Sequence, residues 1–122
     1  MVPPLSPEQL ARRRPVWAAL SVLFLDTEVQ AGDFRALAAT LHLSGYTLTE
    51  CRAILRNELA PVLGPNLLSV AGEWAGFDPA WLEAVVLGRP PRPILKSRWA
   101  MRLIAAEVQR LEEAYGEDRP SL

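Results

Sequence analysis

The chain has 122 residues but only one cysteine, Cys51, and one histidine, His42. A lone cysteine excludes an internal disulfide. With one soft ligand of each kind, a zinc site would have to be built mostly from carboxylates, which structural zinc seldom uses. A serine–histidine–aspartate set would have to be assembled on His42, and no nucleophile-elbow sequence is present. The sequence therefore calls for no metal, no cofactor and no enzymatic role. Long apolar runs are also missing. The longest, Val16 to Leu25, is interrupted by Ser21 and is too short to span a bilayer. Arg12, Arg13 and Arg14 precede it, but Pro15 intervenes, and Asp26, Thr27 and Glu28 follow where a cleavage site needs small residues. It reads as a core helix and not as an export signal. There is no internal repeat, no low-complexity tract and no convincing strand pattern.

What is present describes a globular chain. Half of the residues are apolar and 22% are charged, a composition that favours a packed core over disorder. At this length about two-thirds of the unfolded surface can be buried, so neither metal nor disulfide is needed for folding. The expectation is one domain over 1–122, with flexible tails at 1–5 and 117–122. An unpaired cysteine suits a reducing cytoplasm, the expected location.

The periodicities predict an all-α fold: a compact bundle of about six or seven helices, with a long C-terminal helix and little or no strand. Ser6, Pro7 and Gln9 form a helix start with a capping box. Pro15 then has to kink that helix or divide it. Val16, Trp17, Leu20, Leu23 and Phe24 make a buried stripe that ends near Asp26. Asp33 is a predicted N-cap for a helix with Phe34, Leu37, Ala38 and Leu41 inward. Thr47 and Glu50 form a second capping box ahead of Leu48, Cys51, Leu55 and Leu59, with Pro61 just past the end. Asp78 and Pro79 start a helix that should bury Trp81, Leu82, Val85 and Val86 and stop at Gly88. Residues 89–93 (RPPRP) read as a stiff linker. A single last helix is predicted from about Ile94 to Tyr115, with Gly116 as its stop and a seam of Met101, Ile104, Val108, Leu111 and Tyr115.

The net charge of −1 conceals segregation. Residues 26–83 carry eight acids against Arg35, Arg52 and Arg56, whereas residues 84–106 carry Arg89, Arg92, Lys96, Arg98 and Arg102 with no acid. Such blocks either steer a partner or neutralise one another across the folded surface. Residues 33–59 have the outline of a helix-turn-helix, but the would-be recognition helix is charge-neutral in an acidic setting, whereas phosphate binding needs excess positive charge. An ordinary helical hairpin is the better reading. In the basic stretch, Trp99 is spaced four residues from both Leu95 and Leu103. That spacing puts it toward the core and leaves the arginines as a solvated face, which disfavours nucleic acid. Asp26, Glu28, Glu58 and Glu73 are the carboxylates to consider for paired acid–base work, although no spacing pairs them.

Two segments depart from routine helix design. Phe24 to Glu28 (FLDTE) places acids directly after an apolar helix, where the macrodipole disfavours them. Ala71 to Asp78 (AGEWAGFD) puts two glycines, two large aromatics and two acids in one turn. In the plain reading Trp74 and Phe77 plug the core while Glu73 and Asp78 cap helices. In the functional reading Trp74 is an interface anchor ringed by carboxylates.

The stretches VWAALSVLFLDTE and NELAPVLGPNLLSVAGEWAGFDPAWL carry a resemblance. Through Trp17, Leu20, Ser21, Phe24, Asp26, Thr27, Glu28, Glu58, Pro61, Asn66, Leu67, Gly72, Trp74, Phe77 and Trp81, the chain resembles a family of small bacterial proteins classed as a domain of unknown function. The resemblance runs from about Arg13 to Leu82. It implies a bacterial origin and a small helical fold, and it transfers no catalytic or binding residue. The expected function is a protein-binding module, an immunity protein or inhibitor that neutralises a toxin by direct binding. Asp26, Glu28, Glu73, Trp74 and Asp78 would face a basic toxin domain. The alternatives are a DNA-binding regulator using 33–59 or the basic stretch, and a helical adaptor or homodimer.

Overall fold

The computed structural model describes residues 5–24, 30–64, 78–88 and 94–117; for 94–97 and 117 it describes the backbone alone. Among the described residues every element is helical and there is no strand. The chain forms α1 (Pro7–Ser21), a 3₁₀ turn (Val22–Phe24), α2 (Ala31–Ser44), α3 (Leu48–Ile54), a π-turn (Leu55–Leu59), α4 (Ala60–Leu63), α5 (Pro79–Leu87), α6 (Ile94–Leu103) and α7 (Ala105–Glu117). No helix among them is long and apolar enough to cross a membrane. The 89–93 linker and both outer tails lie outside the described residues, apart from Leu5 and Glu117.

Local chemistry sets most helix starts. Ser6 and Gln9 exchange hydrogen bonds at 2.8 and 3.2 Å, closing the expected capping box. Thr47 and Glu50 do the same at 2.9 and 3.1 Å. The Asp78 carboxylate accepts the Trp81 amide at 2.9 Å, with Pro79 at the first helical position. The start of α2 differs from expectation. Gln30 is the N-cap, and Asp33 lies one turn in, where its carboxylate accepts the Gln30 amide at 3.1 Å. α2 ends at Gly45, whose φ of 79° is left-handed and suits glycine.

The two prolines that threatened helices are both accommodated. α1 runs unbroken through Pro15. Pro61 does not follow the end of a helix, as its position suggested, but lies inside α4. A proline has no N–H and its ring crowds the carbonyl four residues back. Here the helix widens immediately before it, and the Ala60 amide donates to the Leu55 carbonyl, five residues away. α3, the π-turn and α4 thus form one continuous rod.

The core joins Trp17, Leu20, Leu23 and Phe24 to Phe34, Leu37, Ala38 and Leu41 of α2, then to Cys51, Leu55, Leu59 and Leu63 of the rod. Leu82, Val86, Ala100, Ile104 and Leu111 complete it. The C-terminal stretch is two helices meeting at Ile104, not one, and α7 continues through Gly116 to Glu117. Its seam faces the domain: Ile104 and Leu111 are buried, and Met101, Val108 and Tyr115 are half-buried against the core. Trp81 is the other departure, 47% exposed where the stripe predicted burial. Its neighbours Leu82 and Val86 take the inward positions, and Val85 is half-buried.

Candidate functional site

Among the described residues the densest polar arrangement is built around Glu58, in the π-turn. Glu58 is buried, and a buried carboxylate needs donors for its oxygens. Arg13 supplies two, Nε to Oε1 at 3.0 Å and Nη2 to Oε2 at 2.8 Å. The Trp17 indole N–H donates a third, to Oε1 at 2.8 Å. Arg13 also donates Nη1–H to the Tyr46 hydroxyl at 2.8 Å. Hydrogen bonding to Glu58 is the main reason that the Arg13 guanidinium holds its proton still more tightly than usual, against the opposing effect of burial. Arg12 stacks on the other part of the same hub, its guanidinium 3.9 Å from the Tyr46 ring centroid, and donates to the Ser44 carbonyl at 2.7 Å. Arg14 reaches α5 and pairs with Glu83 at 2.8 Å.

The three successive arginines therefore bind three different parts of the molecule: the α2–α3 turn, the π-turn and α5. Glu58, considered above as an acid–base candidate, has its oxygens committed to three donors. The arrangement ties α1 to the π-turn. Trp17 also lines a cleft of about 150 Å³ between α1 and α5, with Arg14, Ala18, Pro79, Ala80, Leu82 and Glu83. Small-molecule sites run upward from about 300 Å³, so this cleft is undersized for one.

The other two reactive residue types are similarly engaged. His42 Nε2 lies 2.8 Å from the Tyr115 carbonyl; a carbonyl only accepts, so Nε2 carries the hydrogen. The His42 ring stacks on the Tyr115 ring at 3.9 Å, with 13° between the planes. Tyr115 in turn donates its hydroxyl to the Tyr46 carbonyl at 3.3 Å. Cys51 is buried, and desolvation pushes its thiol up to about 11. Among the described residues no group of three or more histidine, cysteine or acidic side chains is arranged to hold a metal ion.

Of the five residues proposed to meet a partner, Asp26, Glu28, Glu73 and Trp74 lie outside the described residues. Asp78 is exposed, and its carboxylate caps α5. In the helical hairpin at 33–59 the residues at the start of α3 have partners within the domain. Arg52 is held by Glu112 of α7, Glu50 is committed to its capping box, and Cys51 points inward. What sequence reasoning missed is the outer surface. Trp99 was placed toward the core, yet it is 37% exposed, and Leu103, one turn further, is 49% exposed. Their spacing carries no sign of this, because a stripe of period four fits either face of α6.

A family model described as "Domain of unknown function (DUF7079)" matches residues 11–114, which takes in α6 and most of α7, well past the Leu82 limit of the resemblance. No curated protein and no solved structure matches the chain.

Proposed function

Because the chain belongs to the DUF7079 family, a domain of unknown function, we propose its role from its own geometry: it is a protein-binding module. One observation carries this reading. Two tryptophans, Trp81 on α5 and Trp99 on α6, stand substantially exposed, while Glu58, His42 and Cys51 among the described residues are tied into the architecture. Tryptophan is costly to leave in water and is over-represented among residues that dominate interface energy.

The more specific form of the proposal is an immunity protein or inhibitor in a bacterial cytoplasm that masks a basic toxin. Its support is the acidic balance of residues 26–83 and the segments around Asp26, Glu28, Glu73 and Trp74. The DNA-binding alternative is weaker, since Arg52 and Glu50 are both held within the domain.

The test is affinity purification of the tagged full chain from its native cells at moderate salt, with mass spectrometry of what co-purifies. One stoichiometric protein partner is expected, and Trp81→Ser is expected to reduce its recovery. Recovery of nucleic acid, or of the bait alone, overturns the reading. If the partner arrests growth when expressed, co-expression of this chain should relieve the arrest, and Trp74→Ala or charge reversal at Asp26 and Glu28 should weaken that relief. Unchanged protection by folded variants removes those residues from the interface.

A further inference from the structure

The two basic blocks of the chain meet different fates. Arg12, Arg13 and Arg14 are consumed inside the domain, Arg52 pairs with Glu112, and Arg110 lies over the Phe34 ring at 4.7 Å. Arg98 and Arg102 on α6 are exposed, and neither has an ion pair or hydrogen bond among the described residues. They are one helical turn apart, about 6 Å along the axis. Trp99 and Leu103 make a second pair with the same spacing, directly beside the first. α6 therefore shows the solvent two parallel rows, one of guanidinium groups and one of apolar side chains.

The opposite side of α6 fixes this surface in place. Ala100 and Ile104 are buried. A Cβ built on Gly64 would lie 3.0 Å from the Ala100 Cβ and 3.9 Å from Trp99 Cζ3, so glycine lets α6 approach the end of α4 closely, with one edge of the indole beside it. The ring is 37% exposed, so part of it is covered by the domain and part faces the solvent.

We propose that this outer face of α6 docks an acidic segment of a partner protein. Carboxylates of the segment meet Arg98 and Arg102, and apolar side chains cover Trp99 and Leu103. Charge complementarity selects the sign, because Arg98 and Arg102 are exposed and have no acidic partner among the described residues. The apolar row selects protein over nucleic acid. Leu103 offers a base no stacking plane, and a chain of net charge −1 lacks the surplus of cations that phosphate binding demands. Tryptophan beside arginine is instead the composition of a protein hot spot. The inference rests on the protein-binding reading but uses none of the acids invoked for toxin inhibition.

The test pans a phage-displayed library of random peptides, about 16 residues long, against the immobilised full chain. Enriched peptides are re-measured by fluorescence anisotropy. They should combine Asp or Glu with apolar residues, and their affinity should fall about tenfold for Arg98→Glu with Arg102→Glu, and again with added salt. Trp99→Ala should weaken binding comparably; Leu103→Ser, at a more exposed position, does the same duty if Trp99→Ala fails to fold. Circular dichroism confirms that each variant keeps its helices. Acidic peptides that bind the α6 variants unchanged, or enriched peptides that are basic or neutral, overturn the α6 assignment and leave the protein-binding reading standing. No enrichment at all overturns the α6 proposal, while the protein-binding reading stands or falls with the affinity purification. A dT oligonucleotide bound more tightly than any peptide, and lost with the charge reversal, overturns the proposal in favour of nucleic acid.

Discussion

Arg13 clasps both oxygens of the Glu58 carboxylate, Nε on Oε1 at 3.0 Å and Nη2 on Oε2 at 2.8 Å, across 45 positions of sequence. A fork matched to a carboxylate in this way fixes direction as well as distance. It locks the register of α1 against the π-turn, and the Trp17 indole secures the same acid from one turn further along α1.

Removing one member of this pair is expected to cost more than removing both. Arg13→Ala leaves Glu58 buried without its main partner and should destabilise the domain by about 3 kcal/mol. Arg13→Met combined with Glu58→Leu should recover much of that loss. Urea denaturation of the three proteins reads the difference. A loss below about 1 kcal/mol for Arg13→Ala would place the pair with ordinary surface bridges.

Glu50 titrates below the usual carboxylate range, chiefly because it accepts the Thr47 amide and then because of the Thr47 hydroxyl. A folded-state value that is depressed gives stability present above the unfolded pKa and lost as the pH falls through the folded one. Glu50→Gln should therefore flatten the acid limb of the stability curve below about pH 4.5. An NMR titration of the Glu50 carboxyl checks the shift directly, and Thr47→Ala should return it toward the ordinary range.

Cys51 runs in the opposite direction. Its thiol ordinarily ionises near 9.0 and burial lifts it to about 11, so the neutral form belongs to the folded state. The contribution is complete below pH 9 and is lost as the pH rises toward 11. Cys51→Ala should remove this alkaline slope. Iodoacetamide should modify native Cys51 far more slowly at pH 8 than the urea-unfolded chain; equal rates would show that the thiol is open to solvent.

Two glycines at the ends of α2, Gly32 in its first turn and Gly45 at its C-cap, should respond with opposite signs to alanine. Gly45 has a φ of 79°, and a Cβ there would lie 3.2 Å from Arg12 Nη2. Gly45→Ala should cost about 1–2 kcal/mol. Gly32 lies within the helix with open space around its Cβ position, and Gly32→Ala should stabilise by up to about 1 kcal/mol. Thermal melts of the two variants should fall on either side of the parent.

The features legible in the sequence are those decided within a few residues. Ser6 with Gln9, Thr47 with Glu50 and Asp78 with Pro79 announced helix starts because both partners of each cap sit within one turn. Gly88 closes α5 for the same reason, whereas α7 runs on past Gly116. Asp33 shows the limit of that logic: a carboxylate at the cap and one a turn inside the helix look alike until Gln30 is seen to take the cap. The break at Ile104 left no trace because its amide still donates to the Ala100 carbonyl, at 3.2 Å, and the apolar period is not interrupted. Of the candidate site, Glu58 was named, but Arg13 as its partner was not, because nothing local ties residues in separate helices. Trp81 and Trp99 were misplaced because tryptophan in a stripe reads as core, and only the neighbouring elements decide how much of so large a ring they cover.

The widened turn at Leu55–Leu59 also has a meaning for lineage. An α-helix advances about 100° per residue, so one surplus residue rotates everything beyond it by about that angle. A relative that lost a single position here would gain an ideal helix, yet it would turn Pro61, Leu63 and Gly64 away from the surfaces they now meet. Removing one residue between Ile54 and Ala60 would therefore change which side chains α4 turns toward the core.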